Sequence, residues 1–408
     1  MGTSITLFRV YGIEVRVHWS FVLILIWGAV SYSFMGSTPL VGALYGLLVI
    51  VLLFVCVTLH EFGHAIAARR YKIQVPHITL LPIGGVAQME RNPDKPLHEL
   101  VIALAGPAVN LLLVLLLYPL ALALDALAGV PAAGLDPREW MGRALAFGPA
   151  NLVYYLAGVN LLLALFNLLP AFPMDGGRVL RALLALTMPM VRATRVAVFV
   201  GRLVAVPLAI WGIVDRDVLV LLIAFFVYVG GGAEREAVES RSILGRISVR
   251  NALNRSAERL YTSESIKRAV DLIMSSYQSD YPVFDLSNKW VGVLTRNRLV
   301  AALRERGNEV RVGEVMVPAA DVPALRPAGT LSDVWETMQQ SGSRVVAIRE
   351  GADFLGLISA EDIAEAMNVM GAAFEHERTI PPAQPPAITL DAEVAGDPGH
   401  LSPPVERP

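Results

Sequence analysis

The sequence predicts an α-helical polytopic membrane domain of six transmembrane helices with a small membrane-associated β-sheet, followed by a soluble α/β module. Three observations carry this expectation. The 408 residues are 54% hydrophobic and only 17% charged, with a mean hydropathy of +0.53, the composition of a chain that lies largely in lipid. Runs apolar enough to span a bilayer succeed one another as far as Gly230 and then stop. Beyond them the chain turns charged, and a unit of about sixty residues occurs twice.

The elements follow in order. Ser4 to Arg9 and Ile13 to Val17 alternate in character around Tyr11-Gly12, which predicts a short hairpin. His18 to Ser33 is the first apolar span, and Val41 to Ala68 the second. Ile73 to Met89 is too short to cross and is broken by Pro76, Pro82, Gly84 and Gly85. It reads as a β-hairpin or re-entrant sheet whose edge could pair with an extended peptide, or equally as a structured loop. Leu97 to Leu127 is the third span; its small residues at Gly106-Pro107-Ala108 permit close helix approach, and its Asn110 needs a partner. Ala150 to Leu169, Val196 to Val214 and Val218 to Gly230 complete the six.

Arg69, Arg70 and Lys72 follow the second span, and Arg178, Arg181, Arg192 and Arg195 follow the fourth. By the positive-inside rule these ends face the cytoplasm. An even number of spans then places both termini there, in a multi-pass protein of the cell inner or plasma membrane.

Residues 233–247 read as a charged linker. The first repeat, 248–306, runs helix (Ser265 to Ser275), strand (Tyr281 to Phe284), strand (Trp290 to Thr295), helix (Arg298 to Arg304). The second, 307–370, has the same order at Leu331 to Gln340, Arg344 to Ile348, Phe354 to Ser359 and Glu361 to Met367. Residues 371–408, rich in Pro and Ala, read as disordered. A net charge of −2 gives no sign of a nucleic-acid partner. The single cysteine, Cys56, excludes a disulfide within the chain and a cysteine metal cluster.

The chemistry is concentrated in the second span, at His60-Glu61-Phe62-Gly63-His64. Residues four apart share a helix face, so His60 and His64 can present imidazoles to one zinc ion. Glu61 beside them can take a proton from water at the metal. The competing reading is a pair of histidines at the membrane edge beside Arg69 and Arg70. Ionisable groups in an apolar run are usually functional, which favours the metal. A catalytic zinc needs a third protein ligand and an open position. Asp175 answers that need at the end of the fourth span, set among Pro170, Pro173, Gly176 and Gly177. Asn167, two turns earlier, could donate to a developing oxyanion.

These motifs, HEFGH at 60 to 64, LLPIGGVA at 80 to 87, AGPAVN at 105 to 110 and NLLPAFPMDGGR at 167 to 178, together resemble the site-2 protease family of intramembrane zinc metalloproteases. The chain is most similar to the branch carrying a C-terminal pair of CBS domains, over nearly all of residues 1 to 370. The resemblance implies that His60, His64 and Asp175 bind one Zn2+, that Glu61 activates water and that Asn167 stabilises the tetrahedral intermediate. It implies cleavage within transmembrane segments of single-pass membrane proteins, such as membrane-bound transcription regulators. In the CBS pair it implies a site for AMP, ADP or ATP at Ser359 and Asp362, or a homodimer. The first repeat has Arg298 where that Asp would stand. Two rivals are a sensor or transporter with a structural metal, and a nucleotide-responsive scaffold. The first would want four metal ligands, and the second has no use for Glu61.

Overall fold

An N-terminal hairpin opens the chain in the computed structural model, β1 (Ser4–Val10) against β2 (Ile13–His18). The structure describes residues 4–379 apart from 35–36, 83, 92, 94, 132–135, 145, 254–256 and 276–277. At 137, 139, 141, 144 and 370–379 only the backbone is described. Then come α1 (Phe21–Tyr32), α2 (Pro39–Arg70), β3 (His77–Leu81), β4 (Gly84–Gln88), α3 (Pro96–Leu127), α4 (Pro137–Ala144), α5 (Pro149–Asn167), α6 (Asp175–Ala185), α7 (Met190–Val214) and α8 (Val218–Leu244). Among the described residues, five helices are long and apolar enough to cross a membrane: α2, α3, α5, α7 and α8.

The expected first span is shorter than its sequence suggested. Twelve-residue α1 reaches about 18 Å, well under the ~30 Å of a bilayer core. The reason lies at its start. His18 remains in β2, and the Ser20 N–H donates to its Nδ1 at 3.3 Å, so a turn consumes the first residues of the apolar run. Packing against α2 is close, since a Cβ at Gly46 would lie 2.2 Å from the Gly28 carbonyl oxygen.

The two expected hairpins are one sheet of order β1-β2-β3-β4. β2 pairs with β3 in parallel, Val15 beside Ile78, and β3 with β4 antiparallel, Ile78 beside Ala87. Ile13, Val15, Ile78 and Leu80 are buried and pack with Ile50, Phe54 and Ile102 of the helices, so the sheet lies on the bundle end that bears Arg69 and Arg70.

The expected linker at 233–247 is helical as far as Leu244. Helix α8 runs unbroken from the apolar span through Gly230–Gly232 and the charged segment to Leu244. Of these glycines, Gly230 serves close approach: a Cβ there would stand 2.8 Å from Pro173 Cδ.

The soluble part follows as α9 (Val249–Ala252), β5 (Leu260–Tyr261), α10 (Ile266–Ser275), β6 (Tyr281–Phe284), β7 (Trp290–Leu294), α11 (Arg296–Arg306), α12 (Val312–Val315), β8 (Val317–Pro318), β9 (Ala324–Leu325), α13 (Leu331–Ser341), β10 (Val345–Glu350), β11 (Asp353–Ser359) and α14 (Ala360–Thr379). Two sheets, β5-β6-β7-β8 and β11-β10-β9, share an apolar seam of Phe284, Trp290, Val293, Val345, Ala347 and Leu357. The repeats interleave. Leu244, Ile247 and Val249 lie in the core of the second repeat, where the Val249 N–H donates to Gly329 O at 3.0 Å. Val312 and Val315 lie in the core of the first. The last helix continues past 370 to Thr379, and the rest of the expected disordered tail, 380–408, lies outside the described residues.

Candidate metal centre

Helix α2 starts firmly: the Thr38 side chain accepts the Val41 N–H at 3.3 Å, and Pro39 occupies the first helical position. Its 32 residues end with Arg69 and Arg70, where cations favour the helix dipole. Along it His60 and His64 fall one turn apart on the buried face, each 6% exposed. Asp175 is the first residue of α6, where a carboxylate meets the favourable end of the dipole. It comes close because Gly176 and Gly177 allow the helix start to nest on the turn before it. A Cβ on Gly176 would lie 2.2 Å from Leu169 O, and one on Gly177 2.7 Å from the Ala171 carbonyl carbon.

The three donors converge. His64 Nε2 lies 3.1 Å from His60 Nε2 and 3.1 Å from Asp175 Oδ2, and His60 Nε2 lies 3.3 Å from the same oxygen. Donors held ~2.0–2.1 Å from one tetrahedral zinc would stand about 3.3 Å apart. His64 Nδ1 donates to Ile102 O at 2.7 Å. A carbonyl only accepts, so the proton sits on Nδ1 and Nε2 is bare for a metal. Space is reserved as well: a Cβ at Gly106 would lie 2.3 Å from His64 Nε2 and 2.7 Å from His60 Nε2. The donor set, the tautomer and the cradle all fit zinc, and the triangle leaves a fourth corner open for water or substrate. His60, His64 and Asp175 are the group of His, Cys, Asp or Glu side chains, among the described residues, that could hold a metal ion.

Glu61 points to the sheet. A Cβ at Gly85 would lie 2.7 Å from its Cγ. The LLPIGGVA segment thus roofs Glu61 through β4, a strand that must be bare of side chain at Gly85. Asn167 closes α5 half-buried, with no hydrogen bond to its side chain among the described residues. Asn110, one turn beyond Gly106, is fully buried with neither side-chain atom partnered among the described residues. The partner expected for it is therefore not a protein group in that set.

Ser359 and Asp362 lie far along the chain, at the β11–α14 junction. The Ser359 N–H and Oγ–H both donate to Asp362 Oδ2 at 2.7 Å, and the Asp362 N–H donates to Ser359 Oγ at 3.1 Å. In the first repeat, Thr295 accepts the Arg298 N–H at 3.4 Å. Two residues that matter to the site escaped sequence reading. Gly106 was visible only as a small residue for helix packing. Arg181 was visible only as a topological charge, although Glu99 in the third span signalled a buried partner.

Comparison with known proteins agrees with this geometry. The family model described as Peptidase family M50 matches residues 48–208, and the CBS domain model matches 312–369. A zinc metalloprotease of Methanocaldococcus jannaschii is 29% identical over 372 residues, 91% of this chain and 98% of that one. The Rip3 protein of Mycobacterium tuberculosis is 29% identical over 392 residues, 90% of this chain and 94% of that one. The solved site-2 protease from Methanocaldococcus jannaschii is 32% identical, with a TM-score of 0.40, covering 57% of this chain and 95% of that chain. With family models matched at residues 48–208 and 312–369, and relatives matched over nine-tenths of its length, the chain belongs to peptidase family M50, the site-2 proteases, as a zinc metalloprotease with CBS domains.

Proposed function

We propose that the protein is an intramembrane zinc endopeptidase that cuts transmembrane segments of single-pass membrane proteins, membrane-bound transcription regulators among them. The observation that carries this is the convergence of His60, His64 and Asp175 beneath the roof strand, with Glu61 beside them. In this reading His60, His64 and Asp175 hold the ion. A zinc ion there would polarise a scissile carbonyl and acidify water. Glu61 takes the proton from the attacking water and returns it to the leaving amine. Asn167, whose side chain has no hydrogen bond among the described residues, steadies the oxyanion. A substrate helix has its carbonyls engaged and must unwind first. The exposed edge strand β4 could then receive the extended segment by β-augmentation.

The same reading sets the molecule in the membrane. The N-terminal sheet and the CBS part both lie at the Arg69–Arg70 end, since β2 joins β3 and the Gln340 side chain donates to Glu90 O at 3.3 Å. This supports cytoplasmic termini in an inner or plasma membrane, with α1 and its flanking turns completing six crossings among membrane lipid. The CBS pair regulates cleavage by binding AMP, ADP or ATP at Ser359 and Asp362, or by forming a homodimer.

The test is cleavage of a transmembrane peptide by the purified full-length chain in detergent. Glu61→Gln should lower kcat by about 10^2–10^4-fold while zinc remains bound, and a chelator should abolish cleavage. Full proteolysis by Glu61→Gln would refute the assignment.

A further inference from the structure

Arg181 stands six residues along α6 from Asp175 and is only 7% exposed. Its guanidinium lies over the Phe172 ring, 5.0 Å from the centroid. Its Nε donates to Glu99 Oε1 at 2.8 Å, and further ion pairs join it to Glu99 and Glu234. The planar guanidinium fork fixes both partners in direction as well as distance. Glu99 lies in the first turn of α3, the helix that supplies Gly106 to the cradle and the Ile102 carbonyl to His64. Phe172 belongs to the turn that delivers Asp175. One side chain therefore ties the helix bearing Asp175 to the helix that orients His64.

The third member, Glu234, belongs to α8. That helix continues to Leu244, which is buried in the core of the second CBS repeat, and its Arg241 pairs with Glu336 of α13. From Glu234 to Arg241 is seven residues of unbroken helix, about 10 Å. Gly230, one turn before Glu234, packs on Pro173 two residues from Asp175. A shift of the second repeat along or about this helix therefore arrives at both ends of the segment that carries Asp175.

We propose that Arg181 is a positioning residue for Asp175, and that Glu234 makes it the point where the second CBS repeat acts on the metal centre. This rests on Asp175 being a ligand. Movement of α8 changes the Glu234 anchor, Arg181 shifts against Glu99, and the Asp175 oxygen leaves or regains its place opposite the histidines.

The test uses the full-length chain in detergent and reads zinc affinity by chelator competition alongside kcat and KM on a transmembrane peptide. Glu234→Gln should weaken zinc and lower kcat by about 10-fold each, in the range of lost outer-shell support, with KM unmoved. Arg181→Lys should keep part of both. Glu336→Arg, at the CBS end, should change zinc affinity severalfold in the native background and not at all with Glu234→Gln, because coupled sites are non-additive. Ala237→Pro interrupts α8 without touching an ion pair, and it should likewise silence Glu336→Arg, which covers the case in which Glu234→Gln does not fold. Additive effects, or native zinc affinity in Glu234→Gln, would overturn the proposal. Zinc binding without cleavage by the native chain would refute the protease reading, while the zinc titrations would still decide the coupling.

Discussion

The metal centre and the Ser359–Asp362 pair each use a carboxylate in the first turn of a helix, yet they end in opposite states. At Ser359 and Asp362 every donor turns inward: the serine caps the helix, the aspartate takes the serine's two protons, and the circuit closes on itself. At the metal centre three donors of lone pairs face one another at 3.1–3.3 Å, and His60 Nδ1 has no partner among the described residues. Like acceptors crowded in a buried place repel unless a cation or shared proton lies between them. A satisfied cluster is accounted for by folding alone, whereas convergent lone pairs point to a ligand. The lesson is that the two sites cannot be weighed by residue type, only by whether their hydrogen bonds close.

The sharpest way to break the contrast is to fill the cradle. Gly106→Ala adds a methyl where His64 Nε2 would be 2.3 Å away. Zinc affinity should fall by at least ~100-fold and cleavage with it, measured by chelator competition and peptide hydrolysis. Native zinc binding in this variant would mean that the histidines do not face the ion as described.

A second test asks whether the CBS pair holds a real electrostatic tension. Asp280 accepts the Arg296 N–H at 3.1 Å, but burial and the nearby Glu361 and Asp362 push its pKa up to about 6. An acid raised on folding adds stability below its unfolded pKa and loses it as pH rises through the folded value. Asp280 therefore weakens the module progressively between about pH 4 and 6 and remains a burden at pH 7. Asp280→Asn keeps an acceptor for Arg296 and should stabilise the module at pH 7.5 by about 1–2 kcal/mol, with little gain at pH 4.5. Thermal unfolding of the full-length chain at both pH values checks it.

The smallest effect concerns the closed circuit itself. Ser359→Ala removes a helix cap and should lower stability by ~1 kcal/mol. Should the pair also hold a nucleotide ribose, the rise in melting temperature given by AMP in the native chain would vanish in this variant. A variant that melts lower but responds to AMP as before leaves Ser359 a cap and nothing more.

Much of the membrane site was legible because helix periodicity and ligand chemistry are local rules. Four-residue spacing puts His60 and His64 on one face wherever a helix forms, and a carboxylate amid prolines and glycines announces an irregular helix start at Asp175. The strands of both repeats were legible for the same reason, since short apolar runs bounded by turns are visible one at a time. What escaped was set by distant partners. The parallel pairing of β2 with β3 depends on two helices intervening between them. Gly230 to Gly232 look like a break, but α8 runs through them, and Gly230 allows Pro173 to approach, a need written elsewhere in the chain. The interleaving of the repeats hid in the same way: Ile247 looks like a linker residue until the Leu331 N–H donates to its carbonyl at 2.9 Å.

The β2–β3 pairing also orders the protein's birth. β2 can reach β3 only after α1 and α2 have folded back on each other, so the roof over Glu61 records the pairing of the first two helices. The remaining ligand, Asp175, lies 111 positions beyond His64 and is synthesised later still. A nascent chain that ends before Asp175 carries the histidines without the carboxylate. The three metal donors therefore come together only after α2, α3 and α5 are made, with α7 and α8 still to follow.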